Sequence, residues 1–161
     1  MIPAILSGNK VFPYEILVKN KADGSKYPFV LMSDFVYRWH GDGRIRPYDI
    51  CVPAGYETDF ASIPRPFQGV FSAVNDVAPA ALAHDWCYST EIFGRNTCDQ
   101  IFYDALRANG VGWLRAKTLW SAVRIGGWTS WPHNTAERRT DLALGREARA
   151  RWECRDPSLR P

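Results

Sequence analysis

Ala78-Pro79-Ala80-Ala81-Leu82-Ala83-His84-Asp85-Trp86-Cys87-Tyr88 is an apolar run interrupted by one histidine and one aspartate. An imidazole and a carboxylate in such a segment must find partners, because burying an unpaired polar or charged group costs several kcal/mol. The next helical pattern supplies a partner in Cys98-Asp99, with Phe102 following on the same turn. The pattern is the skeleton of a His-Asp site carried on two neighbouring helices.

Working outward, the spacing predicts three helices, at about 77–89, 96–109 and 111–126. In the second, Gln100, Asp104 and Arg107 share a solvated face, and Cys98, Ile101, Phe102 and Ala105 share an apolar one. Asp99 falls beside Phe102 and Leu106, turned about 100° away from the wet face. In the third, Trp113, Ala116, Trp120 and Val123 form the expected apolar stripe, opposite Lys117, Ser121 and Arg124. Gly126-Gly127 is expected to end that helix. Residues 134–155 read as a charged helix with Leu144, Ala148 and Trp152 on one side, an accessory element that docks on the domain or on a partner.

Upstream, residues 1–28 read as an extended lead-in with three prolines and a turn at 20–26. The run Phe29 to Trp39 is rich in strand formers, His40-Gly41-Asp42-Gly43 makes a turn, and Arg44 to Val52 reads as the return strand. The turn places His40 in a loop rather than at a ligand position. Residues 53–67 form a dense loop in which Thr58, Asp59 and Ser62 can bond backbone amides. The expected fold is therefore α+β: an N-terminal antiparallel β-hairpin or small sheet packed on a three-helix core, plus a C-terminal accessory helix. The expected organisation is a lead-in at 1–28, a single domain at 29–131 and a helical tail at 132–161.

The chain has 161 residues, 46% of them hydrophobic, which suffices for one domain with its own core. Its net charge of +3 is not gathered into a basic stripe, so no nucleic-acid partner is expected. No apolar run approaches the roughly 18 residues of a membrane span, and the first residues lack the charged start of an export leader. Cys51, Cys87, Cys98 and Cys154 form no C-x-x-C pair, which argues against a zinc ribbon. In a cytoplasmic product they would remain buried thiols.

Two resemblances meet on these residues. Val52-Pro53-Ala54-Gly55-Tyr56, then Thr58-Asp59-Phe60-Ala61-Ser62-Ile63-Pro64-Arg65, resembles the loop signature of an uncharacterised phage and prophage family. In that family the loop precedes an Ala-rich helix ending in His-Asp-x-x-Tyr. A helix with Arg95, Cys98, Asp99 and Phe102 at the matching places follows, and a third helix of the Ala122-Val123-Arg124-x-Gly126 type closes the unit. The likeness covers roughly 29 to 131 and implies phage origin, a virion location after synthesis in the host cytoplasm, and other virion proteins as partners, with a tail or tail-tip component as the expected role.

The second resemblance is narrower: His84-Asp85-Trp86-Cys87-Tyr88 and Cys98-Asp99 are similar to the two catalytic helices of secreted phospholipase A2. It implies His84 as general base, Asp99 as its orienter, Tyr88 hydrogen-bonding near Asp99, and Asp85 as a calcium ligand. It also implies a Cys87–Cys98 bridge and contact with membrane lipid or the cell envelope. The Gly-rich calcium loop of those enzymes has no counterpart just upstream of His84; the loop in that place is 53–67, with Asp59. Two alternatives stand for Asp59, His84, Asp85 and Asp99: an oxygen-rich site for calcium or another divalent metal, or a metal-free hydrogen-bonded cluster. Asp85 can equally pair with Arg65 or Arg95. The functional alternative to a structural virion component is a free phage hydrolase acting on ester lipid or cell wall.

Overall fold

The computed structural model describes residues 4–6, 16–21, 27, 29–58, 74–131 and 140–147. Six strands precede the helices: β1 (Ala4–Leu6), β2 (Ile16–Asn20), β3 (Phe29–Leu31), β4 (Phe35–Trp39), β5 (Tyr48–Val52) and β6 (Glu57–Thr58). Three long helices follow, α1 (Val74–Thr90), α2 (Arg95–Ala108) and α3 (Trp113–Ser130), and a short helix, α4, spans 140–147. The architecture is the α+β arrangement expected from the sequence, small antiparallel sheets packed on a helical core.

The expected hairpin is present. Phe35, Tyr37 and Trp39 point inward from β4 and register with Val52, Ile50 and Tyr48 of β5. On the wet face Arg38 donates two hydrogen bonds to its cross-strand neighbour Asp49, at 2.8 and 3.0 Å. In the connecting turn Gly41 adopts φ 80°, and a Cβ there would lie 2.1 Å from the Ile45 carbonyl oxygen. The Asp42 carboxylate accepts from the backbone N–H groups of Ile45 and Arg44, which hold its pKa below the usual carboxylate value.

The run from Phe29 to Trp39 is not one strand. It bends at 32–34, where Asp34 accepts a hydrogen bond from the Ala54 amide at 2.9 Å. The bend sends β3 into a separate sheet of order β1-β2-β3-β6. Nor is the segment up to residue 28 merely a lead-in. β2 pairs antiparallel with β3, and Ile16 and Val18 are buried in the same core as α1 and α2. Its Pro and polar turn residues masked a short strand whose two inward positions are apolar.

Helix α1 runs through the middle of the core. Ala80, Ala81, Leu82 and Ala83 are all buried, so it is apolar on every side. Helix α2 buries Cys98, Asp99, Ile101, Phe102, Ala105 and Leu106 along one face, as its periodicity predicts. Helix α3 departs from expectation in two respects. Its buried positions are Ala116, Leu119, Ala122 and Val123, while Trp113 is 61% exposed. It also continues through Gly126-Gly127 to Ser130. The small residues, rather than the indoles, form the packed seam, because they let α3 approach the rest of the core closely.

Of the tail, α4 lies inside the predicted 134–155 helix and docks on the domain. Gly145 faces the Trp86 indole so closely that a Cβ would stand 2.4 Å from the ring. No helix among the described residues is long and apolar enough to cross a membrane.

Candidate functional site

His84 and Tyr88 are one turn apart on α1 and therefore share the face turned toward α2 and α3. Both reach the same carboxylate. Asp99, wholly buried on α2, accepts from His84 Nε2 at 3.1 Å and from the Tyr88 hydroxyl at 2.6 Å on one oxygen. Its second oxygen lies 3.3 Å from an Arg124 guanidinium nitrogen of α3. Arg124 also donates to Asn96 at 2.8 Å, and its carbonyl accepts from Arg95 at 3.1 Å. One buried carboxylate thus ties the three helices together, its charge matched by a guanidinium.

Two aromatic rings pack against the imidazole. Its ring centroid lies 4.1 Å from that of Tyr88 and 5.1 Å from that of Phe102. With Nε2 hydrogen-bonded to an anion, that nitrogen carries the proton of the neutral ring. Nδ1 then presents a lone pair. It is buried and has no hydrogen-bond partner among the described residues, and Asp85 Oδ1 lies 4.0 Å away. Burial and the neighbouring Asp99 carboxylate push the Tyr88 phenol above its ordinary 10.0, so its hydroxyl stays a donor.

Asp85 sits one position round α1 from His84 and faces the sheet, where the Thr58 hydroxyl of β6 donates to it at 2.5 Å. Arg95, one of its two expected partners, bonds the Arg124 carbonyl; Arg65, the other, lies outside the described residues, as does Asp59. The calcium implied by the phospholipase resemblance takes roughly six to eight oxygen ligands. Among the described residues no group of three or more His, Cys, Asp or Glu side chains converges, and Asp85 alone does not make such a site.

The implied Cys87–Cys98 bridge is absent: both are free, buried thiols. The Cys98 thiol donates instead toward the Cys87 and Phe93 carbonyls, at 3.7 and 3.5 Å. The adjoining Cys98 group, together with burial, pushes the Cys87 thiol well above its ordinary 9.0 and keeps it protonated. His40 lies in its loop, as expected, and is exposed.

Sequence reasoning missed Arg124, Asn96 and Thr58. Arg124 falls on the polar side of α3 when the tryptophans are taken as the buried stripe. The available signal was the charge of Asp99, since a buried carboxylate needs a cation as well as an imidazole. Gly127 is a fourth missed residue. A Cβ there would stand 2.5 Å from the Tyr88 hydroxyl oxygen, so the glycine makes room for the tyrosine that caps Asp99. Gly127→Ala is expected to displace that hydroxyl and lower stability by about 1–3 kcal/mol. The check is a urea titration; a midpoint equal to wild type would show that the Tyr88 ring shifts without cost.

Comparison with known proteins agrees with the loop-and-helix signature. The family described as "Protein of unknown function (DUF1353)" matches residues 29–123, a span that runs from β3 into α3 and includes Thr58, His84, Asp85, Tyr88, Asn96 and Asp99, with Arg124 one residue beyond its end. Neither the curated proteins nor the solved structures contain a match. With more than half of its length matched, including both helices that carry the His84–Asp99 pair, the chain belongs to the DUF1353 family.

Proposed function

We infer that this is a phage-encoded, virion-associated protein, of the tail or tail tip, carrying a hydrolytic centre with His84 as general base. The setting is supported by the likeness of the Val52–Arg65 loop and its helices to phage sequences. The chemistry is supported by one observation: the His84 ring is committed through Nε2 to Asp99, while Nδ1 is buried without a hydrogen-bond partner among the described residues and faces Asp85. An imidazole oriented on one side with a lone pair uncommitted on the other is arranged to accept a proton.

The 4.0 Å between Nδ1 and Asp85 is a span that one water can bridge, about 2.8 Å from each. In the proposed step this water attacks an ester carbonyl as its proton passes to Nδ1. The carbon–oxygen bond to the leaving alcohol then breaks, and the alcohol oxygen takes the proton back from Nδ1. Asp99, held in place by Tyr88 and Arg124, stabilises the transient imidazolium without itself becoming protonated. Ester lipid is the substrate class favoured by the phospholipase-like helices. The saturation of Asp99 by three donors supports a second reading, in which the cluster only locks three helices of a virion structural component.

Fatty-acid release from vesicles of phosphatidylethanolamine and phosphatidylglycerol, with calcium or with chelator, separates the two readings. Release well above the lipid blank in either arm is expected; release equal to the blank in both arms contradicts the hydrolase. Mass spectrometry of purified particles checks the setting, and absence of the protein from virions contradicts it.

A further inference from the structure

We propose that the outer face of α3 is a docking surface for anionic lipid bilayers. Four large hydrophobic side chains are exposed among the described residues, and three of them, Trp113 (61%), Leu114 (71%) and Ile125 (67%), belong to this helix. At about 100° per residue, Leu114, Ser121 and Ile125 fall on one line along α3, with Lys117 close beside it. The two apolar ends of that line stand about 16 Å apart. Among the described residues the seam toward the core is formed by Ala116, Leu119, Ala122 and Val123, which leaves these three outside it.

Charge identifies the occupant. Helix α3 carries Arg115, Lys117 and Arg124 and no carboxylate along its 18 residues. The Lys117 ammonium lies 4.6 Å from the ring centroids of both Tyr103 and Trp120, a cation resting on half-buried aromatic faces. On neighbouring elements Asp76 lies 3.5 Å from Arg115, and the buried Asp99 lies 3.3 Å from Arg124. Exposed Leu and Ile along a helix whose own charged side chains are all cations, with an exposed Trp at its first turn, is the chemistry of a helix lying in the headgroup region of an anionic membrane. The centre of the line, Thr118 and Ser121, is polar, which disfavours a dry protein–protein core and leaves the surface dependent on electrostatic attraction as well. Arg124 links this face to the cluster, since the same side chain contacts Asp99.

The choice of lipid as partner rests on the hydrolase reading, but binding is measured without turnover, so the two can fail separately. The experiment is flotation of the full-length protein with phosphatidylglycerol vesicles and with phosphatidylcholine vesicles, at low and moderate salt. Expected are binding to the anionic vesicles at least tenfold stronger than to the neutral ones, weakening with salt, and a further loss of about tenfold in Leu114→Ser/Ile125→Ser. Both side chains are exposed, so that variant is expected to keep the wild-type urea midpoint. Failure to float with phosphatidylglycerol, equal binding to both vesicle types, or unchanged binding of the variant overturns the proposal. So does concentration-dependent dimerisation abolished by the same variant, which would assign the face to a second copy of the chain.

Discussion

Hydrolysis of vesicle lipid by His84→Gln is expected to fall by roughly 10²–10⁴-fold, the range that a positioned general base supplies. The substitution is chosen for what it keeps. A glutamine amide can still donate to Asp99, so the buried carboxylate retains its donors from α1, Tyr88 and Arg124. What disappears is the Nδ1 lone pair, and with it the acceptor for the water proton. The change therefore separates proton transfer from helix locking. Fatty-acid release per minute is the readout, with a urea titration to show that the variant is folded. Undiminished release from folded His84→Gln removes His84 from the chemistry.

The largest expected loss of stability follows Asp99→Ala, at about 3–5 kcal/mol. Three donors converge on this wholly buried side chain. Without it, the His84 Nε2–H and the Tyr88 hydroxyl lose their acceptor, and Arg124 keeps Asn96 as its remaining side-chain acceptor in the cluster. Leaving buried donors unpaired costs more than the original bonds contribute in net terms. Asp99→Asn preserves the shape and one carbonyl oxygen, so a smaller loss is expected. Chemical denaturation of both variants checks the order; equal stabilities for Asp99→Ala and wild type would mean that the carboxylate does not hold the helices together.

The sequence discloses some parts of this structure better than others, for physical reasons. The pairing of His84 with Asp99 was legible because each polar group interrupts an apolar face, and buried charge demands a partner. The β4–β5 hairpin was legible from alternating side chains around a glycine turn. Strand β2 was not: its buried positions, Ile16 and Val18, are separated by a single residue and flanked by prolines and polar turns, too short a signal for periodicity. The rotation of α3 is legible only in part: Ala116 and Val123 of the expected stripe are buried, but Leu119 and Ala122, rather than the indoles, complete the seam. Close helix packing favours the small residues, and Trp113 is left outside. Gly127 likewise resembles a helix terminus in sequence, yet in three dimensions it serves as space for Tyr88. Arg124 could be placed only once that rotation was known.

The arrangement of the His84 ring is the claim on which the hydrolytic reading stands, and long-range 1H–15N NMR of the imidazole at pH 8 tests it most directly. The account predicts a proton on Nε2, shifted downfield by its hydrogen bond to the Asp99 carboxylate, and a bare Nδ1. A proton found on Nδ1, alone or together with one on Nε2, would contradict it.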